Sequence, residues 1–155
     1  GMTMVIPVLE NGKIVLTLQY RYLFDRPSIE FPGGGIRAGL ELLAAARQEL
    51  FEETGCIADD FIHIGSFEPA NGYVKDRSNI FIAQVVEQRA PQLDDTEEIE
   101  LLYRTPLEID DMIQHNDIWC GQTMAAWSLA RQHFLTEKSE TTAPPLSGII
   151  EQFLS

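Results

Sequence analysis

Three glutamates, Glu49, Glu52 and Glu53, follow a cluster of three glycines at positions 33–35 and constrain the fold more than any other feature of the chain. Residues 42–53 are rich in Ala and Leu and predict a helix, in which positions i, i+3 and i+4 share one face within about one turn. Like charges packed together raise each other's proton affinity, so the arrangement favours a bound divalent cation. The alternative interpretation of the three acids is a solvated helix face.

The order of the surrounding segments favours the metal site. The glycine cluster comes first, then the helix, then Thr54 and Gly55, where a glycine is expected to end the helix. Carboxylate oxygens on a rigid helix are suitable ligands for Mg²⁺. The glycine backbone beside them can approach a phosphate closely, so the site suits Mg²⁺ bound to a diphosphate. The leading hypothesis is therefore chemistry at a phosphoanhydride.

Residues 34–56 resemble the Nudix box. In this box a glycine is followed by five residues, Glu, seven residues, and then Arg-Glu-aliphatic-any-Glu-Glu-any-Gly-aliphatic. Cys56 stands at the final apolar position. The other positions in register are Gly34, Glu49, Leu50, Glu52, Glu53 and Gly55. By this pattern the chain resembles the Nudix hydrolases.

Two positions depart from the box, because Leu40 stands where it has its first Glu and Gln48 where it has its Arg. Glu41 and Arg47 lie one place away, but a step of one residue turns a helical side chain by about 100°. Arg47 is therefore expected to point almost opposite to the three glutamates, and Glu41 to lie out of their reach. Gln48 can hydrogen-bond Glu52 at i+4 but brings no positive charge, which predicts a carboxylate cluster that depends more strongly on its metal.

The segments around the box resemble the ADP-ribose pyrophosphatase branch of the Nudix hydrolases. Residues 19–22 and 29–36 are similar to the two strands that precede the box there, Pro69 is similar to a downstream proline, and residues 96–100 follow the same layout. The resemblance implies the Nudix fold, an α/β/α sandwich with a mixed β-sheet. It also implies cleavage of the diphosphate in a nucleoside diphosphate linked to another moiety, ADP-ribose or another sugar nucleotide.

The resemblance implies roles for individual acids. It assigns Glu49, Glu52 and Glu53 to Mg²⁺, for which Mn²⁺ is a substitute, and it makes Glu52 and Glu53 catalytic. In this branch a further acid from a distal loop orients or deprotonates the attacking water, and Glu97 is the candidate, with Glu98 second. A solvated acidic loop over residues 94–100 is the alternative.

Substrate contacts are expected in the strands and the glycine loop before the box. The candidates are Arg21, Glu30, Gly34, Gly35 and Arg37. A surface ion pair is the alternative for the first two. Four aromatic residues are candidates for stacking on a base, with a place in the core as the alternative. They are Tyr20, Tyr22, Phe24 and Tyr73.

Three functions share this site. The first is a Mg²⁺-dependent hydrolase of nucleoside diphosphate derivatives. The second is a sensor domain that binds a nucleotide sugar with little turnover, and the third is a nucleoside triphosphate pyrophosphohydrolase. Leu40 and Gln48 favour the sensor, whereas the three intact glutamates favour the hydrolase more strongly. The flanking strands give the triphosphate hypothesis no support.

The alternation of apolar and polar residues, together with residues typical of turns, predicts the remaining strands and helices. Residues 5–9 and 13–22 predict a hairpin around Asn11-Gly12, and a short strand at 29–31 leads into the glycine loop. Further strands are predicted at 61–67, 78–86 and 99–104, and helices at 42–54, 106–115 and 121–135. Strands with a helix on either side give an α/β/α sandwich.

The chain has the length of one folded domain. We expect a catalytic domain over residues 2–136 and a tail over 137–155 with room for a short docking helix. A net charge of −13 argues against a long nucleic acid partner, and no stretch is long enough to cross a bilayer. We therefore expect a cytoplasmic location and no membrane partner.

Dimerisation with a second copy of the chain is a further option. Cys56 and Cys120 are expected to be buried reduced thiols.

Overall fold

Seven strands form one mixed sheet in the computed structural model, which describes residues 1–93 and 98–135. The strands are β1 (Met2–Val8), β2 (Ile14–Arg21), β3 (Arg26–Glu30), β4 (Gly33–Gly35), β5 (Cys56–Phe67), β6 (Ser78–Gln88) and β7 (Ile99–Arg104). The helices are α1 (Leu42–Thr54), α2 (Pro106–Gln114) and α3 (Gly121–Ala130), and a 3₁₀ turn spans Arg131–Phe134. The tail predicted over 137–155 lies outside the described residues.

The pairing of β1 and β2 determines where the sheet opens. β1 pairs in parallel with β6 and antiparallel with β2 and β4, which makes the sheet mixed, as the sequence predicted. β2 pairs in addition with β3 and β7. The pairing of β1 with β2 is confined to the turn, at Val8 and Ile14, so the two strands separate beyond it. A cavity opens there, between the far end of β2 and β4.

Alternate residues of the strands pack on opposite faces of the sheet, as the side-chain period of two requires. On one face, Ile6 and Leu16 belong to a buried cluster with residues of α2 and α3, among them Trp127. On the other face, Val5 and Val15 belong to a buried cluster with residues of α1. Helices on both sides of the sheet give the predicted α/β/α sandwich.

Local signals determine where α1 ends and where α2 begins. α1 has the predicted bounds and ends where Gly55 adopts a left-handed conformation (φ 69°) and donates its N–H to the Phe51 carbonyl, 2.8 Å away. α2 begins with a capping box, in which the Thr105 hydroxyl accepts from the Glu108 N–H and the Glu108 carboxylate accepts from the Thr105 N–H. Residues that are neighbours in the chain therefore determine the end of α1 and the start of α2, which explains why the sequence predicts these two boundaries.

Several predicted elements differ from the structure. β1 begins at Met2 rather than at 5, and β3 spans Arg26–Glu30 rather than 29–31. The glycines at 33–35 form strand β4 rather than a loop, because their backbone groups pair with β1 although they have no side chains to alternate. β5 begins at Cys56 rather than at 61, and register shifts at residues 57–61 interrupt its alternation. The helix predicted over 121–135 ends at Ala130 and continues as a 3₁₀ turn, in which Phe134 stacks on Trp127.

The two cysteines differ in their environment. Cys56 is buried, and burial raises the pKa of its thiol. Cys120 is only partly buried, because it lines an open cavity at the start of α3, so the prediction of a buried thiol is wrong there. Both thiols are free, as predicted.

Among the helices of the described segments, none combines the length and the apolar character that crossing a bilayer requires.

Asp110 joins α2 to the end of α3. Its carboxylate accepts hydrogen bonds from the Trp127 indole N–H at 2.8 Å and from Arg131 Nε at 2.8 and 3.0 Å. The hydrogen bond from Arg131 lowers the pKa of Asp110. A carboxyl group with a lowered pKa in the folded state contributes stability above its unfolded pKa of about 3.9 and loses that contribution as the pH falls through the folded pKa.

We expect Asp110→Asn to lower the urea midpoint of unfolding at pH 7, because the amide keeps the shape but loses the charge that Arg131 binds. The difference from wild type should shrink as the pH falls below about 4, because the carboxyl is protonated first in the unfolded wild-type chain and, at still lower pH, in the folded protein. Asp111→Asn, which changes the exposed neighbour on the same helix, is the control. Equal midpoints for the two variants at pH 7 would show that Asp110 has no such role.

Candidate active site

One face of α1 carries the three glutamates to a cavity of about 280 Å³ that lies between α1, β4 and the end of β2. Ala46 and Leu50 of the same helix are buried against the sheet, and this packing determines which face of the helix points to the cavity. Glu53 is buried, and Glu49 and Glu52 are partly buried. The structure therefore brings all three acids to one cavity.

The glycines of β4 allow the helix and the sheet to approach closely. Gly33 donates its N–H to Glu53 Oε2 at 3.0 Å. A Cβ atom on Gly34 would lie 2.6 Å from the Cδ atom of Glu49, and a Cβ atom on Gly33 would lie 2.8 Å from the Cα atom of Met4. Any side chain at these two positions would displace a glutamate or strand β1. Glycine is therefore required at positions 33 and 34 because there is no room for a side chain, and not because of the backbone conformation.

Gln48 stands at the box position of the missing arginine and contacts Glu52. Its Nε2 donates to Glu52 Oε1 at 2.7 Å, which is the i+4 contact that the sequence predicted. Arg47 lies on another side of the helix, where it donates to the carbonyl oxygens of Ala58 at 2.6 Å and Asp59 at 2.9 Å. Arg47 therefore does not supply the missing positive charge, as expected.

Two glutamines that the sequence did not single out also line the cavity. Gln19 lies on β2, and Gln92 follows β6 and donates its N–H to the Glu52 carbonyl at 2.8 Å. Neither belongs to the box, and contacts between segments distant in the chain bring them to the cavity. Leu40 and Glu41, at and beside the first altered box position, do not line it.

Arg21 and Glu30 form a two-point ion pair where β2 and β3 lie side by side. Arg21 Nε donates to Glu30 Oε1 at 2.8 Å, and Arg21 Nη2 donates to Glu30 Oε2 at 2.5 Å. Glu30 is only 8% exposed, so the pair is partly buried rather than the surface pair of the alternative interpretation. The hydrogen bonds to Glu30 raise the pKa of Arg21. A charged, oriented guanidinium therefore borders the carboxylate cavity, which Arg21 also lines.

The remaining predicted site residues fall in different places. Gly35 and Arg37 line the cavity, and Arg37 is exposed. Glu97 lies outside the described residues, so its role stays a prediction. Glu98 is exposed, just before β7, and does not line this cavity.

The donors that α1 presents to the cavity are carboxylate oxygens, which suit hard cations such as Mg²⁺ and Mn²⁺. Within residues 1–93 and 98–135, no three His, Cys, Asp or Glu side chains converge on one point as the ligands of an ion do. Glu53 accepts a hydrogen bond from the Gly33 N–H, and Glu52 accepts one from Gln48. The donor type and the shared cavity suit a divalent cation, whereas the three carboxylates do not converge in this structure as the ligands of one ion would.

The four aromatic candidates are exposed rather than buried. The exposed fractions are 57% for Tyr20, 80% for Tyr22, 63% for Phe24 and 97% for Tyr73. The alternative of a place in the core is therefore wrong for all four. The first three lie at or near the tip of the β2–β3 hairpin. None of the four lines the carboxylate cavity.

Comparison with known proteins gives the family. Residues 2–119 match the model of the NUDIX domain, which is more than half of the chain. The chain therefore belongs to the Nudix family, and the predicted family and the predicted class of enzyme, a pyrophosphohydrolase, are confirmed.

Similarity to individual known proteins extends over most of the chain. ADP-ribose pyrophosphatase from Bacillus subtilis (strain 168) is 28% identical over 129 residues, which are 81% of this chain and 69% of that protein. The methanol dehydrogenase activator of Bacillus methanolicus is 27% identical over 128 residues, 81% of this chain and 69% of that protein. A solved structure described as an ADP compounds hydrolase matches with a TM-score of 0.78 and 23% identity, over 85% of this chain and 71% of that chain. The structural match confirms the predicted fold.

The space beside Gly33 gives a test of how β4 packs. In Gly33→Ala the new methyl group would meet the backbone of Met4, which cannot move cheaply, so we expect the free energy of unfolding to fall by about 1–3 kcal/mol. Gly35→Ala is the matched control, because no atom lies within 4 Å of the added Cβ, and we expect a change within about 0.5 kcal/mol. Urea unfolding measures both variants. Equal losses in the two variants would contradict the close packing of β4 on β1.

Proposed function

We propose that the chain cleaves the diphosphate of a nucleoside diphosphate linked to another moiety, ADP-ribose or another sugar nucleotide, in a reaction that depends on Mg²⁺. One observation carries the proposal: three carboxylates of α1 face the glycines of β4 in a single cavity that Arg21 borders. The relative named ADP-ribose pyrophosphatase, at 28% identity, supports this class of substrate.

Two arginines at the cavity are suited to bind the phosphates. Arg21 is oriented before the substrate arrives by its two hydrogen bonds to Glu30, and Arg37 is an exposed cation at the same cavity. Gly34 and Gly35 leave the backbone of β4 accessible beside the carboxylates, so a phosphate can approach it closely. The diphosphate is then bound between positive side chains and the acidic face of α1.

Glu49, Glu52 and Glu53 would hold Mg²⁺, or Mn²⁺ in its place. When bound, the ion neutralises the charge on the phosphates and favours attack by water at phosphorus. Gln48 binds one carboxylate oxygen of Glu52 and so orients this side chain at the cavity. We propose Glu97 as the group that orients or deprotonates the attacking water. The new bond joins the water oxygen to one phosphorus, and the anhydride P–O bond breaks to give two monophosphates.

A sensor that binds the same ligands with little turnover is the second candidate. Leu40 and Gln48, at the two altered box positions, favour it. Neither change removes one of the three carboxylates from the cavity, so hydrolysis is the better-supported function. The ligand is a small molecule in either case, because a net charge of −13 disfavours a long polyanion.

A substrate panel separates these functions. ADP-ribose, other sugar nucleotides, dinucleoside polyphosphates and nucleoside triphosphates are incubated with Mg²⁺ or Mn²⁺, and the products are resolved by chromatography. We expect a sugar nucleotide to yield two monophosphates and Glu52→Gln to lower kcat by about a hundredfold or more, because the amide loses the negative charge that binds the cation. Turnover of no compound above the Glu52→Gln background would eliminate the hydrolase and leave the sensor. Turnover of triphosphates alone would favour the third hypothesis.

Replacing the unusual glutamine tests whether the site still suits an arginine. We expect Gln48→Arg to preserve or raise kcat, because the guanidinium would reach Glu52 at i+4 and supply the positive charge that the box normally has. Arg47→Gln is the control, since it removes a charge from another side of the same helix and should leave kcat unchanged. A large loss of activity in Gln48→Arg alone would mean that the site has adapted to glutamine.

A further inference from the structure

A second cavity, of about 960 Å³, borders the carboxylate cavity at the Arg21–Glu30 ion pair. Arg21 lines both cavities, and Glu30 lines the second. The second cavity lies between the β2–β3 hairpin, the end of β5 and the start of α3. A ligand with two parts can therefore place one part in each cavity, and the segment that joins the parts then lies beside the guanidinium of Arg21.

Two aromatic rings form one wall of this second cavity. The ring centroids of Phe24 and Trp119 lie 5.1 Å apart at an interplanar angle of 59°. The indole N–H of Trp119 donates to the Pro27 carbonyl at 3.0 Å, and the guanidinium carbon of Arg26 lies 3.8 Å from the ring centroid. Pro27 and Arg26 do not line the cavity, so they hold the indole from outside it. A ring held in this way loses little conformational freedom when a ligand stacks on it.

The polar groups of the cavity favour a neutral ring with hydrogen-bonding edges. Glu30 and Glu68 present carboxylates, each already bound to an arginine, and Gln122 presents an amide that both donates and accepts. The negative charges of the two carboxylates disfavour a phosphate group of the ligand in this cavity. The volume lies in the range of about 300–1,000 Å³ that is usual for small-molecule sites. An aromatic wall with acceptors nearby suits a nucleobase, because every base has a flat face for stacking.

We propose that this cavity binds the nucleobase of the substrate against Trp119 and Phe24, while the diphosphate extends past Arg21 to the glutamates of α1. The proposal rests on the proposed function for the position of the diphosphate. It makes Trp119 and Phe24 residues that determine specificity, and it places the other moiety of the substrate on the far side of the carboxylate cavity.

Tryptophan fluorescence tests the proposal without any turnover. The chain has two tryptophans, and Trp127 is buried and hydrogen-bonded to Asp110. We expect at least one nucleoside monophosphate, among AMP, GMP, CMP and UMP, to quench the wild-type emission with saturation. Ribose 5-phosphate should not quench it. Trp119→Phe should remove the quenching, because only the buried indole remains. Equal quenching by ribose 5-phosphate, or quenching that persists in Trp119→Phe, would overturn the proposal.

Kinetics give an independent test on the full chain. Trp119→Leu should raise KM for the best sugar nucleotide by about tenfold and leave kcat within about twofold, because base stacking is lost while the carboxylates are untouched. Trp119→Phe keeps a ring and should have a smaller effect on KM. Tyr73→Leu is the control, since this aromatic residue is 97% exposed and lines a different cavity. The same KM in Trp119→Leu and Tyr73→Leu would overturn the proposal.

The two proposals fail in different ways. If no compound is hydrolysed by wild type, the proposed function fails, and the fluorescence titration still decides whether the second cavity binds a base. If hydrolysis proceeds with an unchanged KM in Trp119→Leu, the proposed function stands and the base site is wrong.

Discussion

The contact between α1 and β4 is the constraint on which the rest of the site depends. Burying a carboxylate is costly unless it is hydrogen-bonded, and Glu53, which is 7% exposed, accepts a hydrogen bond from the Gly33 N–H. Ala46 and Leu50 of the same helix belong to the core, so the helix cannot rotate its acidic face away without unpacking them. One helix therefore serves both as part of the core and as the acidic wall of the cavity.

The separation of β1 from β2 provides the space opposite that wall. Because the two strands pair only at Val8 and Ile14, β2 diverges from β1 and carries Arg21 to the far side of the cavity. Pairing of β2 with β3 then brings Glu30 to Arg21. The hairpin thus supplies Arg21 and the helix supplies the glutamates, and the ion pair of Arg21 with Glu30 lies where the carboxylate cavity meets the larger cavity beside Trp119.

The sequence predicts those parts of the molecule whose causes are local. α1 has its predicted bounds because its Ala- and Leu-rich interior is followed by Gly55, which ends it. The contact of Gln48 with Glu52 and the different direction of Arg47 follow from helix geometry alone. The family follows from the same short segment, because the spacing of its glutamates and glycines is itself the motif.

The parts that the sequence missed depend on contacts between distant residues. The glycines of β4 carry no side-chain alternation, so their pairing with β1 leaves no pattern. Gln19, Gln92 and Trp119 reach their cavities through contacts between separate segments of the chain, and none of them belongs to the box. The 3₁₀ turn after α3 is accompanied by the stacking of Phe134 on Trp127, a contact that helical periodicity does not reveal.

A crystal structure of the protein grown with Mn²⁺, with anomalous scattering measured near the manganese edge, would locate a bound cation directly. We expect an anomalous peak in the cavity between α1 and β4, coordinated by carboxylate oxygens of Glu49, Glu52 and Glu53, and no peak there in crystals of Glu52→Gln grown under the same conditions. Manganese bound elsewhere in the wild-type protein, with this cavity empty, would show that the three glutamates are not the metal site.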